Sequence, residues 1–358
     1  MNRYHIVFAL SGERDLKMLA VAVRSLVETC SRPERLTIHL LWAAISEENR
    51  AKLLASWSDF TSTIEWHHMQ PYLGELAEVP KNGNYFRCFI GSVVPEEVER
   101  ALYLDYDIIV ERDITRLWDE DLEGYVAAAV WDACEPLYGY SEVLERAARE
   151  IGREFSPAEG YFNAGVLFVN LDRWREEGLE KSVVRLALDH QGWSTFVIQD
   201  ELNLLLQGRI KALPPLWNLL DTLALYDGWD SDFYGGWNAE LSSIPVVKHF
   251  AGSVKPFHLL ARSSVKKQFY AILDRTEWRG WRSDTDRSWT GRRVAALLEL
   301  HWLICRGLRK RSLDDPWGRL WRQVRSDPLS LLLYPLIPLY RLRRRVERSL
   351  YQWRLSRI

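Results

Sequence analysis

The sequence predicts an α/β protein with a mainly parallel central sheet, because short apolar runs alternate with segments of helical periodicity. Residues 5–10 form an apolar run, and residues 15–30 then repeat apolar side chains at helical spacing. Residues 35–43, a segment after Ser46 and residues 63–67 continue this alternation. A β-α-β-α-β order is typical of parallel sheets with helices on both faces. In such sheets ligands bind beyond the carboxyl ends of the strands.

The individual elements follow from local patterns. The first helix is predicted from apolar residues that share one face, namely Leu16, Leu19, Val23, Leu26 and Val27. Ser46 suits the N-cap of the second helix, because two glutamates follow it. Further strands are predicted over residues 101–104, 108–110, 125–130, 161–170, 210–213 and 246–249. Further helices are predicted to begin at Asn84, Leu171 and Gln199 and to cover residues 292–311.

Composition limits the class of protein. The length of 358 residues fits one large domain, or one domain with an appended part. The formal net charge of −2 gives no bulk attraction to nucleic acid. The four cysteines show neither a C-x-x-C pair nor zinc spacing, which indicates a reducing compartment. We find no signal peptide and no apolar segment long enough to span a bilayer, so we expect a cytoplasmic protein.

The stretch around which the chain is organised is residues 102–110, where Asp105 and Asp107 stand between two apolar runs. Two acidic groups at the end of a buried strand are costly unless something neutralises them. A hard divalent cation such as Mg²⁺ or Mn²⁺ suits oxygen ligands at this spacing. The alternative is a pair of solvated carboxylates in a loop. Because Ser11 also follows a strand, it is expected to share one cleft with Asp105.

Polar residues at other element ends are candidates for the same cleft. Arg87 is a candidate partner for a phosphate or an acid, although a surface salt bridge explains it equally well. Asp132 follows a predicted strand, where it could also be a turn or cap residue. Asn163 precedes two small residues that allow a ligand to approach closely, and its amide could bind a sugar hydroxyl. Otherwise it is an asparagine in a turn.

Two later segments carry further polar and aromatic groups. Gln199 and Asp200 stand at a predicted helix start, where they either cap the helix or present an amide and a carboxylate to a polyol. Residues 219–240 are rich in aromatic side chains and could form an acceptor platform. Both segments are compatible with saccharide binding.

A third informative segment is residues 246–258, in which a predicted strand ends at His249. An imidazole can complete a metal site begun by two carboxylates, although a single histidine is more often structural. Gly252 gives the backbone conformational freedom, and Lys255 would meet a diphosphate as a point charge. The combination after a strand favours a phosphate and metal site.

The C-terminal region has a different character. Residues 329–340 are apolar but are interrupted by two prolines, and residues 341–357 are rich in arginine and aromatic side chains. This composition is typical of attachment to an anionic membrane surface. The alternatives are a helix packed on the domain or on a partner subunit, and, less favoured, nucleic acid. We predict a catalytic domain over residues 1–260 and a helical, basic region over residues 261–358.

The informative stretches occur in an order that resembles glycosyltransferase family 8, which includes bacterial lipopolysaccharide galactosyl- and glucosyltransferases and is related to glycogenin. They are residues 103–107, 162–166, 199–203 and 249–258, and the resemblance covers roughly residues 4–258. It implies a GT-A fold with Rossmann-like nucleotide-sugar binding. It also implies a UDP-hexose donor, Mn²⁺ (or Mg²⁺), and transfer with retention of anomeric configuration.

The resemblance also implies roles by position. The implied metal ligands are Asp105, Asp107 and His249, and the implied diphosphate ligands are Gly252 and Lys255. The implied contacts to the donor sugar are Arg87, Asp132, Asn163 and Gln199, with Asp200 beside them. The uridine pocket is implied at Phe8 and Ala9, and the donor-binding set is completed by Ser11, Tyr106 and Ala164. Gln199, Asp200 and Asp132 are the expected catalytic residues.

The chain departs from the family pattern at two positions. The family usually has an acid that contacts uracil where this chain has Ser11, and it often has D-Q-D where this chain has Ile198-Gln199-Asp200. An amide such as Gln199 is a poor nucleophile. We therefore expect same-face attack by the acceptor rather than a covalent intermediate, with Asp200 as the residue to test for the covalent route.

Three functions are compatible with these motifs. The first is a retaining hexosyltransferase that acts on a saccharide or lipid-linked oligosaccharide, in lipopolysaccharide or surface-glycan synthesis at the inner membrane face. The second is a glycogenin-like transferase that glycosylates itself or another protein. The third is a catalytically silent protein of the same fold that binds saccharide or membrane. The presence of Asp105, Asp107, His249 and Lys255 argues against the third.

Overall fold

A computed structural model describes residues 3–79, 82–132, 134–135, 139–220, 245–252 and 254–308. The chain divides into two compact units. The first comprises the residues up to Leu219 together with Pro245–His249. The described part of the second comprises Leu220, Phe250–Gly252 and Val254–Leu308. The predicted division at residues 260 and 261 stays a prediction.

The strands of the described residues are β1 (Tyr4–Leu10), β2 (Leu36–Trp42), β3 (Thr63–His68), β4 (Arg100–Leu104), β5 (Ile108–Val110), β6 (Ala127–Trp131), β7 (Phe162–Asn170), β8 (Ile210–Ala212), β9 (Leu219–Leu220) and β10 (Val247–His249). The α-helices are α1 (Leu16–Thr29), α2 (Glu47–Ala55), α3 (Gln70–Leu73), α4 (Ile90–Val93), α5 (Tyr140–Glu150), α6 (Leu171–Glu176), α7 (Leu179–Asp189), α8 (Ile198–Leu206), α9 (Ser263–Leu273), α10 (Asp284–Arg287) and α11 (Trp289–Leu308). Short 3₁₀ helices cover Pro33–Arg35, Gly74–Glu78, Asn82–Phe89, Thr115–Asp119, Pro157–Glu159 and Pro215–Trp217.

The central sheet has seven strands in the order β3-β2-β1-β4-β7-β6-β8. Neighbours β3, β2, β1 and β4 are parallel, and so are β6 and β8. Strand β7 runs antiparallel to both of its neighbours, β4 and β6. The predicted mainly parallel α/β sheet is therefore confirmed, with β7 as its exception. The reversed direction brings the start of β7 to the edge at which β1, β4 and β6 end.

A second sheet has the order β5-β10-β9, and β5 and β10 are antiparallel. In this pairing Ile108 lies opposite His249. The predicted extended piece at residues 108–110 is thus a strand, but it belongs to a different sheet from β4. Asp105 and Asp107 consequently occupy the turn between two sheets.

The core of the first unit is built from the apolar residues that the sequence pattern marks. The five apolar positions predicted for α1 are all buried. Residues 101–104 of β4 are at most 2 % exposed. A buried strand of this kind fixes the positions of the residues that follow it, because its backbone cannot shift without breaking two ladders of hydrogen bonds.

The second unit has an aromatic and helical core of its own. The ring of Phe257 contacts the rings of Phe269 and Trp281 at centroid distances of 5.7 Å. Glu299 of α11 accepts hydrogen bonds from the backbone N–H of Ser264 (3.0 Å) and from its hydroxyl (2.5 Å). These contacts join α9 to α11 within this unit.

Most predicted elements have counterparts. Ser46 caps α2 by accepting a hydrogen bond from the N–H of Asn49 (3.3 Å). The helix predicted from Asn84 is a 3₁₀ helix, and Asn163 lies within β7 rather than in a turn before it. No helix among the described residues is long and apolar enough to cross a membrane. The predicted aromatic platform beyond Leu220 and the basic tail lie outside the described residues.

Candidate active site

Two carboxylates and an imidazole converge between the two sheets. Asp105 follows β4, Asp107 precedes β5, and His249 ends β10 beside it. Nε2 of His249 lies 3.2 Å from an oxygen of Asp107 and 3.7 Å from Oδ2 of Asp105. Asp107 and His249 are buried, whereas the side chain of Asp105 is 20 % exposed. The structure therefore brings together the three predicted metal ligands.

The remaining oxygen of Asp105 is held by two donors. Arg87 lies 2.9 Å from Oδ1, and the hydroxyl of Tyr103 donates to the same atom at 2.7 Å. Arg87 also donates to the carbonyl of Ala164 (2.7 Å) and stacks over the ring of Tyr103. Its side chain is only 12 % exposed, so the ion pair is not the surface salt bridge considered above. These contacts leave Oδ2 of Asp105 directed towards His249.

Gly165 leaves the space that this cluster requires. A Cβ atom at this position would overlap the ring of His249 and would lie 2.8 Å from Oδ2 of Asp105. The N–H of Asp105 donates to the carbonyl of Gly165 (2.8 Å), so the glycine backbone packs directly against the first carboxylate. The absence of a side chain at Gly165 thus lets the imidazole and the two carboxylates come together, and they form a donor set suited to a divalent cation.

A second polar group is centred on Asp132, which follows β6. One of its oxygens, Oδ2, accepts from the amides of Asn163 (2.9 Å) and Gln199 (3.3 Å). The other accepts from the backbone N–H of Cys134 (2.9 Å). Burial raises the pKa of Asp132, and the hydrogen bonds from Asn163, Cys134 and Gln199 oppose this rise. The structure thus assembles three predicted donor-sugar residues into one network.

This network continues to the metal cluster through Asn218, a residue that none of the sequence motifs includes. Oδ1 of Asn163 accepts from the amide of Asn218 (2.9 Å) and from the N–H of Gly165 (3.0 Å). Oδ1 of Asn218 in turn lies 2.9 Å from Nδ1 of His249. Asn218 follows a short 3₁₀ helix, and no local pattern marks it as a site residue. A chain of hydrogen bonds therefore connects Asp132 with His249.

Gln199 and Asp200 are adjacent in the chain, but their side chains take part in different sets of hydrogen bonds. Oε1 of Gln199 accepts from the N–H of Ala164 (3.0 Å), so its amide bridges β7 and Asp132. Asp200 is buried and accepts from the hydroxyl of Tyr161 (2.5 Å). Its other oxygen accepts from the N–H groups of Thr195 and Phe196, both at 2.7 Å. Because Tyr161 also hydrogen-bonds the side chain of Gln199, it links Asp200 to the Asp132 network.

The residues predicted to bind the nucleotide occupy the end of β1 and the loop that follows it. Phe8 and Ala9 are buried, so their side chains belong to the core. Ser11 packs so closely against Gly83 that a Cβ atom on the glycine would overlap the serine side chain. Tyr106 lies instead in the turn between β4 and β5, and its hydroxyl donates to Asp15 at the start of α1 (3.2 Å). The predicted roles of these residues towards the donor stay predictions.

Gly252 and Lys255 belong to the second unit. Gly252 has a φ angle of +83°, which an L side chain rarely adopts, so the predicted need for glycine here has a structural basis. The ammonium group of Lys255 donates to the carbonyl of Phe250 (2.9 Å) within the same unit. Their predicted contact with a diphosphate stays a prediction.

The fold and the polar groups of the site agree with a sugar transferase of the GT-A type, and comparisons with known proteins identify the family. A model of "Glycosyl transferase family 8" matches residues 5–261, so the chain belongs to that family. "General stress protein A" of Bacillus subtilis (strain 168) is 25 % identical over 263 residues, which are 71 % of this chain and 87 % of that protein. "Lipopolysaccharide 1,2-glucosyltransferase" of Escherichia coli (strain K12) is 26 % identical over 195 residues, which are 54 % of this chain and 55 % of that protein.

Solved structures of similar proteins agree with this family assignment. The galactosyltransferase LgtC, solved with donor and acceptor sugar analogues, aligns with a TM-score of 0.63 and 26 % identity over 77 % of this chain and 99 % of that chain. The bifunctional glycosyltransferase WbbM aligns with a TM-score of 0.65 and 18 % identity over 78 % of this chain and 50 % of that chain. The latter likeness shows the fold alone. The predicted family and GT-A fold are therefore confirmed.

Proposed function

We propose that this glycosyltransferase moves a hexose from a UDP-sugar to a saccharide acceptor with retention of anomeric configuration. The observation that carries the proposal is the hydrogen-bonded connection between the Asp105–Asp107–His249 cluster and the Asp132–Asn163–Gln199 network. One group suits a cation beside a diphosphate, and the other offers amides and a carboxylate to a sugar. The relative solved with donor and acceptor sugar analogues supports this assignment of substrate classes.

The residues present fit a divalent cation, and we propose Mn²⁺ with Mg²⁺ as the substitute. Asp105, Asp107 and His249 would hold it. The imidazole favours a transition-metal ion over Mg²⁺, which takes oxygen ligands almost exclusively. When bound, such an ion neutralises the charge that develops on the departing diphosphate.

The protein's own groups are arranged before any substrate arrives. Arg87 and Tyr103 fix the carboxylate of Asp105, so its second oxygen needs no reorganisation. Asn163 and Gln199 hold Asp132 from two different elements. Fixed polar groups of this kind stabilise developing charge better than mobile water does, because their orientation is already determined by folding.

We propose same-face attack for the transfer step. The acceptor hydroxyl oxygen forms a bond to the anomeric carbon while the bond from that carbon to the phosphate oxygen breaks on the same face. The acceptor proton passes to the departing phosphate, so atoms and charge balance. Gln199 is an amide and a poor nucleophile, and both oxygens of Asp200 already accept hydrogen bonds inside the protein. These contacts support a route without a covalent enzyme intermediate.

The first experiment is UDP release from a panel of UDP-sugars, with and without Mn²⁺, for the wild type and Asp107→Asn. We expect slow hydrolysis of one UDP-hexose that requires Mn²⁺ and is lost in the variant. The matched control is Asp189→Asn, which removes an exposed carboxylate at the end of α7. Neither turnover nor binding of any UDP-sugar by the wild type would contradict the proposed donor.

The acceptor distinguishes the remaining possibilities. We propose a saccharide or lipid-linked acceptor of a surface glycan, which the similarity to a lipopolysaccharide glucosyltransferase supports. Intact-mass measurement after incubation with the donor tests the glycogenin-like alternative. A mass increase by whole hexose units on the protein itself would favour self-glycosylation.

We also propose that the basic residues 341–357 attach the enzyme to an anionic membrane surface at the cytoplasmic face. The support is the arginine and aromatic composition of that segment. Co-sedimentation of the full chain with vesicles that contain anionic lipid should exceed that with zwitterionic vesicles and should fall as salt increases. Equal sedimentation with both vesicle types would contradict the proposal.

A further inference from the structure

We propose that the β1–β3 edge of the central sheet carries a second cation site, selective for Zn²⁺ and formed by His39, Glu65 and His67. This site is separate from the acidic cluster that ends β4. Its ligands would be two imidazoles and one carboxylate, a set found in zinc sites with an open fourth position.

The strand register produces this grouping. His39 of β2 lies opposite Glu65 of β3, and His67 follows Glu65 by two residues. Residues two apart on a strand point to the same face, so all three side chains share one face of the sheet. Val7 of β1 lies opposite His39. His5 precedes Val7 by two residues, so its side chain lies on the same face.

The spacing of the potential ligand atoms suits a tetrahedral ion. Nδ1 of His39 lies 3.0 Å from Nε2 of His67 and 3.3 Å from Oε2 of Glu65. Nε2 of His67 lies 3.9 Å from the same carboxylate oxygen. Ligands at the usual Zn²⁺ distances in a tetrahedron are separated by about 3.4 Å, which lies inside this range. Small side-chain adjustments would therefore form the site.

His5 supplies the contact that holds the buried ligand in place. Its Nδ1 lies 2.9 Å from Nε2 of His39, and the two rings are stacked with centroids 5.2 Å apart. If Nδ1 of His39 binds the ion, Nε2 carries the proton and donates to His5. Metal-bound histidines almost always donate their second ring N–H, usually to a carboxylate, a backbone carbonyl or water. Here the ring nitrogen of His5 would take the place of that acceptor. His5 is thus a positioning residue and not a ligand.

The choice of ion follows from the ligand types and from solvent access. Imidazole-rich sites suit Zn²⁺, whereas a carboxylate-rich site such as Asp105 with Asp107 suits Mn²⁺ or Mg²⁺ better. His39 is fully buried, His67 is 19 % exposed and Glu65 is 41 % exposed. An ion would enter from the Glu65 side, and water would complete its coordination. Bound there, it would tie edge strand β3 to β2.

The test is the binding stoichiometry of Zn²⁺ on the metal-free full chain, measured by calorimetry with dialysis. The double variant Asp105→Asn/Asp107→Asn removes the carboxylates of the other site. We expect it to retain one Zn²⁺ per chain and to show a higher Tm when Zn²⁺ is present. Co²⁺ in place of Zn²⁺ should give the visible absorption of a tetrahedral site with nitrogen ligands.

Added to the double variant, Glu65→Gln and His67→Gln should each abolish stoichiometric binding. His5→Phe should weaken it by about 10- to 100-fold, as expected for a lost supporting hydrogen bond. The matched control is His68→Gln, which removes a neighbouring exposed histidine of β3 and should leave binding unchanged. Absence of Zn²⁺ binding by the double variant would overturn the proposal, whatever donor the enzyme uses. Binding that survives both ligand substitutions would also overturn it.

Discussion

The backbone N–H of Gly165 donates a hydrogen bond to Oδ1 of Asn163, and through Asn218 this contact determines how the ring of His249 is oriented. Because Oδ1 of Asn163 is an acceptor, the Asn218 group that faces it must be the amide NH₂. The Asn218 oxygen then faces Nδ1 of His249 and accepts a hydrogen bond from it. This contact holds the ring with Nε2 turned towards Asp107 (3.2 Å) and Asp105 (3.7 Å). Nε2 is therefore the ring nitrogen that would bind the proposed cation.

The variant Asn218→Ala tests this orientation. Loss of the acceptor for Nδ1–H should weaken Mn²⁺ binding by about 10- to 100-fold and should reduce kcat at subsaturating metal. The measurement is Mn²⁺ affinity by calorimetry together with the metal dependence of UDP release. Asn170→Ala is the matched control, because it removes a helix cap at the other end of β7. It should cost about 1 kcal/mol of stability and leave the metal affinity unchanged. Equal Mn²⁺ affinities in the two variants would contradict the role of Asn218.

The variant Gly165→Ala tests whether the proposed metal ligands must approach the backbone of β7 this closely. The added methyl group would overlap His249 and crowd Asp105, so either the imidazole or the strand must move. We expect loss of Mn²⁺ binding and destabilisation by about 1–3 kcal/mol, as for overpacked cores. Urea unfolding and Mn²⁺ titration measure the two effects. Gly12→Ala serves as the control, since a Cβ there meets nothing within 4 Å. A Gly165→Ala protein with unchanged Mn²⁺ affinity would disprove the steric argument.

Glu201 should make the stability of the protein depend on pH. Burial, and then the nearby charge of Asp200, raises its pKa from 4.5 to about 7 in the folded state. The folded protein keeps this proton at pH values where the unfolded chain has already lost it, so stability falls as pH rises from 4.5 to about 7. The total loss of folding stability is about 3 kcal/mol, and it is complete once the pH lies above that interval.

Glu201→Gln should remove this loss while keeping an acceptor for the hydroxyl of Tyr85, which donates to Oε1 at 2.8 Å. The free energy of unfolding of the variant, relative to that of the wild type, should rise by about 3 kcal/mol as the pH increases from about 4 to about 8. Urea unfolding at several pH values measures this difference. Glu150→Gln, at the exposed end of α5, should show no such gain. Parallel stability curves for wild type and Glu201→Gln would refute the assignment.

Asp200→Asn distinguishes a structural role from a covalent one. The two backbone N–H groups that meet Oδ2 would face an amide NH₂ if Oδ1 kept its bond to Tyr161, so at least one buried hydrogen bond is lost. We expect a stability loss of about 1–3 kcal/mol. No sugar adduct should be detected on wild-type Asp200 by mass spectrometry of a quenched reaction. An adduct on Asp200, with a stable but inactive variant, would instead establish the covalent route.

The sequence predicted the central sheet well because its determinants are local. Burial of β1, β2 and β4 can be seen in single apolar runs, and the N-cap of α2 needs only Ser46 and the residues after it. The direction of β7 could not be predicted in this way. Its apolar run is compatible with either direction, and the pairing with β4 and β6 decides which is adopted.

The candidate site was predictable only in part for the same reason. Residue type marked Asp105, Asp107 and His249 as ligands, and the structure brings them together. Asn218 and Tyr103 were not identified, because an asparagine after a 3₁₀ helix and a tyrosine in a buried strand are common without any function. The His39–Glu65–His67 group was also missed, because it depends on the register between two strands rather than on spacing along one.

The hydrogen-bonded path through Asn163, Asn218 and His249 also bears on when the enzyme acquires its metal affinity. The path joins residues separated by 55 and 31 positions in the chain, so no single segment contains the cation site. Contacts between distant segments form late, because the entropy of closing long loops must be overcome first. If the proposed cation binds there, a chain leaving the ribosome would therefore bind it weakly until β10 has paired with β5. Tight metal binding would therefore follow the completion of folding and would not direct it.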